Sequence, residues 1–144
     1  MKGIRSLLLY VILLPGVHQG FSQNIDWSKG IQWKMYEFSS DKGDPISLKA
    51  IQSSVSMVLN QDTVGYYMQH TSAIPSELSN NAAWMGDHFA SCRLGDTILY
   101  VRLSRYGGFF MNLSDGKYYE IPVELRADWI GYLNACFRRL QSSH

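Results

Sequence analysis

Apolar and polar residues alternate most regularly between Trp84 and Ile121, and two turn dipeptides interrupt the alternation. The first is Gly95-Asp96. Glycine supplies the positive φ that the first central position of a type II′ turn needs, so the runs on either side, from Met85 to Ser104, predict a β-hairpin whose register is set at this turn. Leu94 then opposes Thr97, Cys92 opposes Leu99, Ala90 opposes Val101 and His88 opposes Leu103 on one face. Phe89, Ser91 and Arg93 oppose Arg102, Tyr100 and Ile98 on the other, because side chains alternate with a period of two. One face is therefore small and aliphatic, and the other is aromatic and cationic. The second dipeptide, Asp115-Gly116, predicts a type I′ turn joining strands Phe109 to Leu113 and Lys117 to Ile121. In that register Leu113 opposes Tyr118, Met111 opposes Glu120, Asn112 opposes Tyr119 and Phe110 opposes Ile121. Both of its faces are partly apolar, so the pattern does not say which is inward. Between the hairpins, Tyr106-Gly107-Gly108 predicts a bulge or a wide loop.

Periodicity elsewhere predicts helices and one more strand. Ile31, Trp33 and Met35 alternate with Gln32 and Lys34, the pattern of a short strand, and Ser39 to Asp44 reads as a polar loop. Asp44-Pro45 resembles a helix start, and Leu48, Ile51, Val55 and Val58 recur at helical spacing. Ser53, Ser54 and Ser56 weaken that helix, and a strand over Val55 to Leu59 competes with it. A second helix follows, capped by Asn60 or Asp62, with Val64, Tyr67 and Met68 inward and its end before Ile74-Pro75. Ser76 to Ala82 reads as a loop. The clearest helix follows Pro122, with an apolar stripe of Leu125, Trp129, Leu133, Cys136, Phe137 and Leu140. Together these elements predict an α+β fold. An antiparallel sheet of four to five strands, built from two consecutive hairpins, carries a C-terminal helix on one face and two short N-terminal helices.

Residues 1–22 read as an export signal. Lys2 and Arg5 precede the unbroken apolar run Leu7 to Leu14, Pro15-Gly16 ends it, and Gly20-Phe21-Ser22 offers small residues for cleavage. The run is shorter than the roughly 20 residues that span a bilayer. No cysteine follows it, which argues against a lipid anchor. Residues 23–144 are then a single secreted or periplasmic domain with no stable membrane insertion after cleavage. Cleavage removes two of 13 basic residues, leaving 11 against 12 acidic ones. A balance near neutrality argues against nucleic acid as a partner. Arg138-Arg139, the only adjacent basic pair, falls near a helix C-terminus, where positive charge complements the dipole.

An exported chain with two cysteines predicts one disulfide, Cys92 to Cys136, if the C-terminal helix crosses the aliphatic face of the first hairpin. Closing that loop would contribute about 4 kcal/mol in the chain-entropy model. Two buried free thiols are the alternative.

Catalytic signatures are sparse. His88 and Cys92 lie roughly 13 Å apart along one strand, too far to act as a pair. Asp87 and His88 are adjacent and point to opposite faces, so His88 reads as a satisfied histidine at the sheet edge. Asp87 and Ser104 are predicted cross-strand neighbours without a base. No metal motif, phosphate loop or cofactor signature is present, so no metal and no cofactor is expected. Asn112-Leu113-Ser114 fits a glycosylation triplet but falls in a predicted strand. The reading leans away from an enzyme. A hydrolase with a dispersed carboxylate site built from Glu77, Glu120 or Glu124 stands behind the two binding readings.

The residue types that dominate protein interfaces gather on the second hairpin face. Phe89, Arg93, Tyr100 and Arg102, with Tyr106 at the glycine bend and Trp84 at the strand entry, are the candidate binding residues. They point to a small exported binding protein that recognises another protein, as an inhibitor or immunity protein against an envelope-acting enzyme. The alternative is a carbohydrate or cell-wall binding module that stacks sugar rings on Trp84, Phe89 and Tyr100. Against both stands coverage of this face by the N-terminal helices, which would make it core with arginines at its rim.

Overall fold

A computed structural model describes residues 24–38, 46–75 and 87–143. The expected export signal, the Asp44-Pro45 helix start, the 76–82 loop, Glu77 and Trp84 lie outside them. In chain order the elements are a 3₁₀ turn (Trp27–Lys29), β1 (Ile31–Tyr36), α1 (Leu48–Ser53), β2 (Ser56–Val58), α2 (Gln61–Met68), β3 (Ser72–Ile74), β4 (Asp87–Leu94), β5 (Thr97–Ser104), β6 (Phe109–Asn112), β7 (Tyr118–Glu120) and α3 (Val123–Ser142). The class is α+β. Among the described residues the sheet has seven antiparallel strands in the order β2-β1-β4-β5-β6-β7-β3, rather than four to five. The additional strands are the two edges, each of three residues. β2 falls within the strand alternative weighed over Val55 to Leu59, whereas β3 carries little periodicity; the brevity of both edges also limits pairing with other chains.

β4 and β5 pair from Leu94↔Thr97 to Asp87↔Ser104, the register set at Gly95-Asp96, with Gly95 at φ +63°. One face of the sheet is the main core. Ala90, Cys92, Val101, Leu103, Phe110 and Tyr119 meet Trp129, Leu133, Cys136, Phe137 and Leu140 of α3 there. Burying side chains of this size stabilises by about 1.5–3 kcal/mol each. α2 adds Val64, Tyr67 and Met68, the three inward positions that its spacing predicts. Trp27 closes the far end, edge-on to Phe110 and Tyr119 at 5.4 Å each.

The second hairpin departs from its predicted register. Phe110 pairs with Tyr119 and Met111 with Tyr118, two residues short of the type I′ alignment. Its loop is longer because Asn112 Oδ1 accepts from Ser114 N, Asn112 O accepts from Gly116 N at 2.8 Å, and only Gly116 takes positive φ. An Asx turn thus displaces the two-residue turn. A shift of two leaves every side chain on its original face. Asn112 is buried within this loop, which leaves no room for a glycan on its side chain.

The helix predicted over Leu48 to Val58 is shorter. It begins after Ser47, whose Oγ accepts from Ala50 N, and ends at Ser53. Ser53 and Ser54 hydroxyls donate to Lys49 O and Ile51 O, a competition with helical continuation that serine side chains favour. Val55 and Val58 leave the helix, and β2 takes the place of its last turn.

The expected Cys92–Cys136 bridge is not formed. Both are buried free thiols. Each sulfur has its own neighbour: Cys92 Sγ lies under Gly30, so close that a Cβ there would sit 2.9 Å away, whereas Cys136 lies beside Tyr132. Burial pushes the Cys92 thiol up to about 12.

β1 carries a one-residue bulge. Ile31 pairs with Arg93 and Lys34 with Ser91, so Gln32 and Trp33 together face Cys92. Gln32 sits at φ +56°, the only described residue other than glycine with positive φ. Gln61 holds it from both sides, accepting from Gln32 N and donating to Gly30 O. The bulge moves Ile31 off the core face predicted for it, while Trp33 and Met35 stay buried. Ile31 and Lys34 consequently share the face that carries Arg93. The left-handed region strongly disfavours β-branched side chains. Gln32→Val is therefore expected to lower stability by about 1–3 kcal/mol relative to Gln32→Gly in urea titrations. Equal stability of the two variants would contradict the bulge.

Candidate functional site

The face opposite the main core is only partly covered. Ile51 of α1 seals a small second cluster with Tyr36 and Phe89, flanked by Phe38, Ile46, Tyr100 and Leu113. Phe89 is wholly buried, with Phe38 edge-on at 5.2 Å, so it is core and not a contact residue. The short helix stops at Ser53, touching Tyr100 through Gln52 and leaving Ile98 exposed. Two adjoining cavities open around those residues.

The larger is an open groove of about 570 Å³ walled by Ile46, Leu48, Ile98, Leu99, Leu113 and Tyr100. The smaller, of about 140 Å³, lies between Lys34, Tyr36, Ser91, Arg93, Ile98 and Tyr100. Tyr100 and Ile98 belong to both. Hydroxyl groups form the seam between them. Tyr36 and Ser91 hydroxyls are hydrogen-bonded at 2.9 Å, Gln52 Nε2 donates to Tyr100 Oη at 3.2 Å, and the rings of Tyr36 and Tyr100 lie 6.0 Å apart. Burial raises the pKa of Tyr36 above the ordinary phenol value, opposed by Ser91 and reinforced by Tyr100, so Tyr36 stays protonated as a hydrogen-bond donor. Among the described residues neither Lys34 nor Arg93 has an ion-pair partner. The site is thus an apolar trough with a cationic, hydroxyl-lined end.

The sequence candidates divide accordingly. Tyr100 and Arg93 lie at the site. Arg102 is on the same face but is committed to Asp87 by an ion pair of 3.0 Å. Tyr106 is 59% exposed, yet it lines a separate cleft with Arg105, Asn134 and Arg138 on the α3 side of the sheet. Lys34, Tyr36, Ser91, Gln52 and Ile98 join the site although they were not singled out by sequence reasoning. Tyr36 is the residue after the alternation Ile31, Trp33, Met35, and its place depends on β1 pairing with β4, which no local pattern carries.

The other candidates are structural. His88 is not at a sheet edge: β4 is an interior strand, and His88 is fully buried beneath Phe137, ring centroids 4.7 Å apart. Asn134 Nδ2 donates to Arg105 O, which leaves Oδ1 to accept from His88 Nε2 at 2.9 Å. Nδ1 is then an acceptor, and protonating it would place a buried N–H without a partner among the described residues. Ser104 Oγ accepts from Gly107 N and anchors the bend. Glu120 pairs with Arg126 at 3.4 Å, and Glu124 is exposed in the first turn of α3. Among the described residues no group of three or more His, Cys, Asp or Glu side chains is placed to hold a metal ion, and no helix is long and apolar enough to cross a membrane.

Burial, and secondarily Arg105, holds the His88 pKa below its ordinary 6.5, against the opposing hydrogen bond to Asn134. A depressed folded-state value means the unfolded chain binds the proton first. The stabilisation is therefore complete above about pH 6.5 and is lost as pH falls through the lower folded value. Urea midpoints between pH 8 and pH 5 should fall more steeply for the native chain than for His88→Leu; parallel profiles would contradict this.

Compared with known protein families, curated protein sequences and solved structures, the chain matches none.

Proposed function

We propose that this chain is a small exported binding domain that recognises another protein through the groove around Tyr100. Its action is steric. Occupying a partner's surface suffices for an inhibitor or an immunity protein against an envelope-acting enzyme, and no covalent step is involved. The observation that carries the reading is the pairing of an open apolar trough with an adjoining end where Lys34, Arg93 and three hydroxyl groups converge. Tyrosine, arginine and exposed aliphatic side chains at a partly desolvated centre are the composition of an interface hot spot. The apolar walls are open to solvent, Ile98 56% and Leu48 46% exposed, and Val58, the register partner of Lys34, is 69% exposed.

The carbohydrate alternative drew on Trp84, Phe89 and Tyr100. With Phe89 inside the second cluster, Tyr100 is the one described residue of that set left to stack on a sugar, so protein recognition is the better supported reading.

The test is affinity capture from the native compartment with wild-type, Ile98→Asp and Tyr100→Ala chains of matched melting temperature. A photo-crosslinking residue at position 98 identifies what is in contact. Loss of at least ten-fold in capture is expected for both variants, since removing one hot-spot side chain costs about 2 kcal/mol or more. If the crosslinked partner is an enzyme, stoichiometric addition of the chain should suppress its activity. Capture unaffected by both substitutions would refute this surface.

A further inference from the structure

Resting on the protein-recognition reading, the cationic end of the groove narrows what the partner presents. We infer that Lys34 and Arg93 receive a carboxylate, so that the recognised element is a short extended segment in which an acidic residue adjoins apolar side chains seated along Ile98, Tyr100 and Leu113.

Three observations lead there. First, the pairing of Lys34 with Ser91 makes the two cations diagonal neighbours on one face of the sheet. Ile31 opposes Arg93 and Lys34 opposes Ser91, so both positive groups stand on one face on either side of Ser91, and neither has an ion-pair partner among the described residues. The adjoining bulge, with Gln32 held left-handed, sets Ile31 opposite Arg93 and is strain of the kind that concentrates at functional sites. Second, Arg93 Nε is buried and finds no acceptor among the described residues, and it lies at a cavity that the Tyr36, Ser91 and Tyr100 hydroxyls also line. At about 140 Å³ the space holds a carboxylate, given that one water occupies about 30 Å³ of liquid. Donors converging from a guanidinium, an ammonium and hydroxyls favour an anion, and a guanidinium pairs best with a planar carboxylate. Third, Ile98 and Tyr100 wall both cavities, so the anionic and apolar groups of the ligand must be neighbours. The trough is open along its side. An extended chain tolerates that, whereas a free amphiphile is ordinarily enclosed over most of its surface.

The experiment selects a phage-displayed library of random twelve-residue peptides on the purified protein and measures synthetic versions of the winners by fluorescence anisotropy. Enriched peptides should share Asp or Glu next to an apolar residue. Their affinity should fall at least ten-fold on Lys34→Glu or on changing the acid to its amide, and fall as NaCl rises from 50 to 500 mM. Changing the peptide acid to Lys should restore binding to Lys34→Glu. That variant lies at an exposed position, and the salt series needs no variant, so a poorly folded Arg93→Glu would not stall the test. Winners that lack an acid, or whose amide form binds equally, would overturn the inference. Displacement of a fluorescent fatty acid from this groove, with no peptide enriched, would overturn it in favour of an amphiphile. Capture that depends on Ile98 but not on Lys34 or Arg93 would overturn it while leaving the recognition reading standing; capture indifferent to Ile98 would remove that reading itself.

Discussion

The pairing of β4 with β5 about Gly95 is the constraint on which the rest of the molecule depends. One register decides for the sixteen paired residues of the two strands which side chain faces α3 and which faces away. A slip of one residue would expose Cys92, Val101 and Leu103 and bury Arg93 and Arg102 against an apolar helix, where unpaired charge is strongly unfavourable. The hairpin therefore holds as a packing decision as much as a turn decision. α3 adds a single continuous stripe, and β1 and β6 extend the same partition outward on either side.

The two faces are closed to different degrees. On the inner one a twenty-residue helix, α2 and Trp27 complete the main core. On the outer one a six-residue helix covers Tyr36 and Phe89 and then ends at serines whose hydroxyls bond back to the helix carbonyls. The groove exists because that cover is short, and its polar end, where Lys34 pairs with Ser91, adjoins the β1 bulge. Both features are locally unfavourable, one forfeiting helix and the other holding glutamine in the left-handed region. Both lie beside Tyr100, at the two cavities that this residue lines.

Much of this was legible in the residues, and the exceptions have physical causes. The first hairpin register, the inward residues of α2 and the stripe of α3 follow from periodicity and turn chemistry alone. The second hairpin slipped by two because the Asn112 side chain competes with the Asp115-Gly116 turn, an outcome that dipeptide rules do not weigh. The edge strand β2 falls within the strand alternative over Val55 to Leu59, while β3 is too short for a period to appear. The aromatic and cationic face was identified, but its division into buried Phe89, paired Arg102 and accessible Tyr100 depends on where α1 stops. Lys34 looked like the polar half of an alternation; only the long-range pairing of β1 with β4 brings it to Arg93. The disulfide expectation required two sulfurs to meet across the core, whereas both are buried free thiols with different neighbours.

Hydroxyl-radical footprinting of the native chain, read residue by residue along β5, tests the central partition most directly. Ile98 and Tyr100 should be oxidised readily while Leu99, Val101 and Leu103 are protected, an alternation that follows from the Gly95-Asp96 register. Protection of Ile98 and Tyr100 together with labelling of Leu99 and Val101, or uniform labelling along the strand, would contradict it.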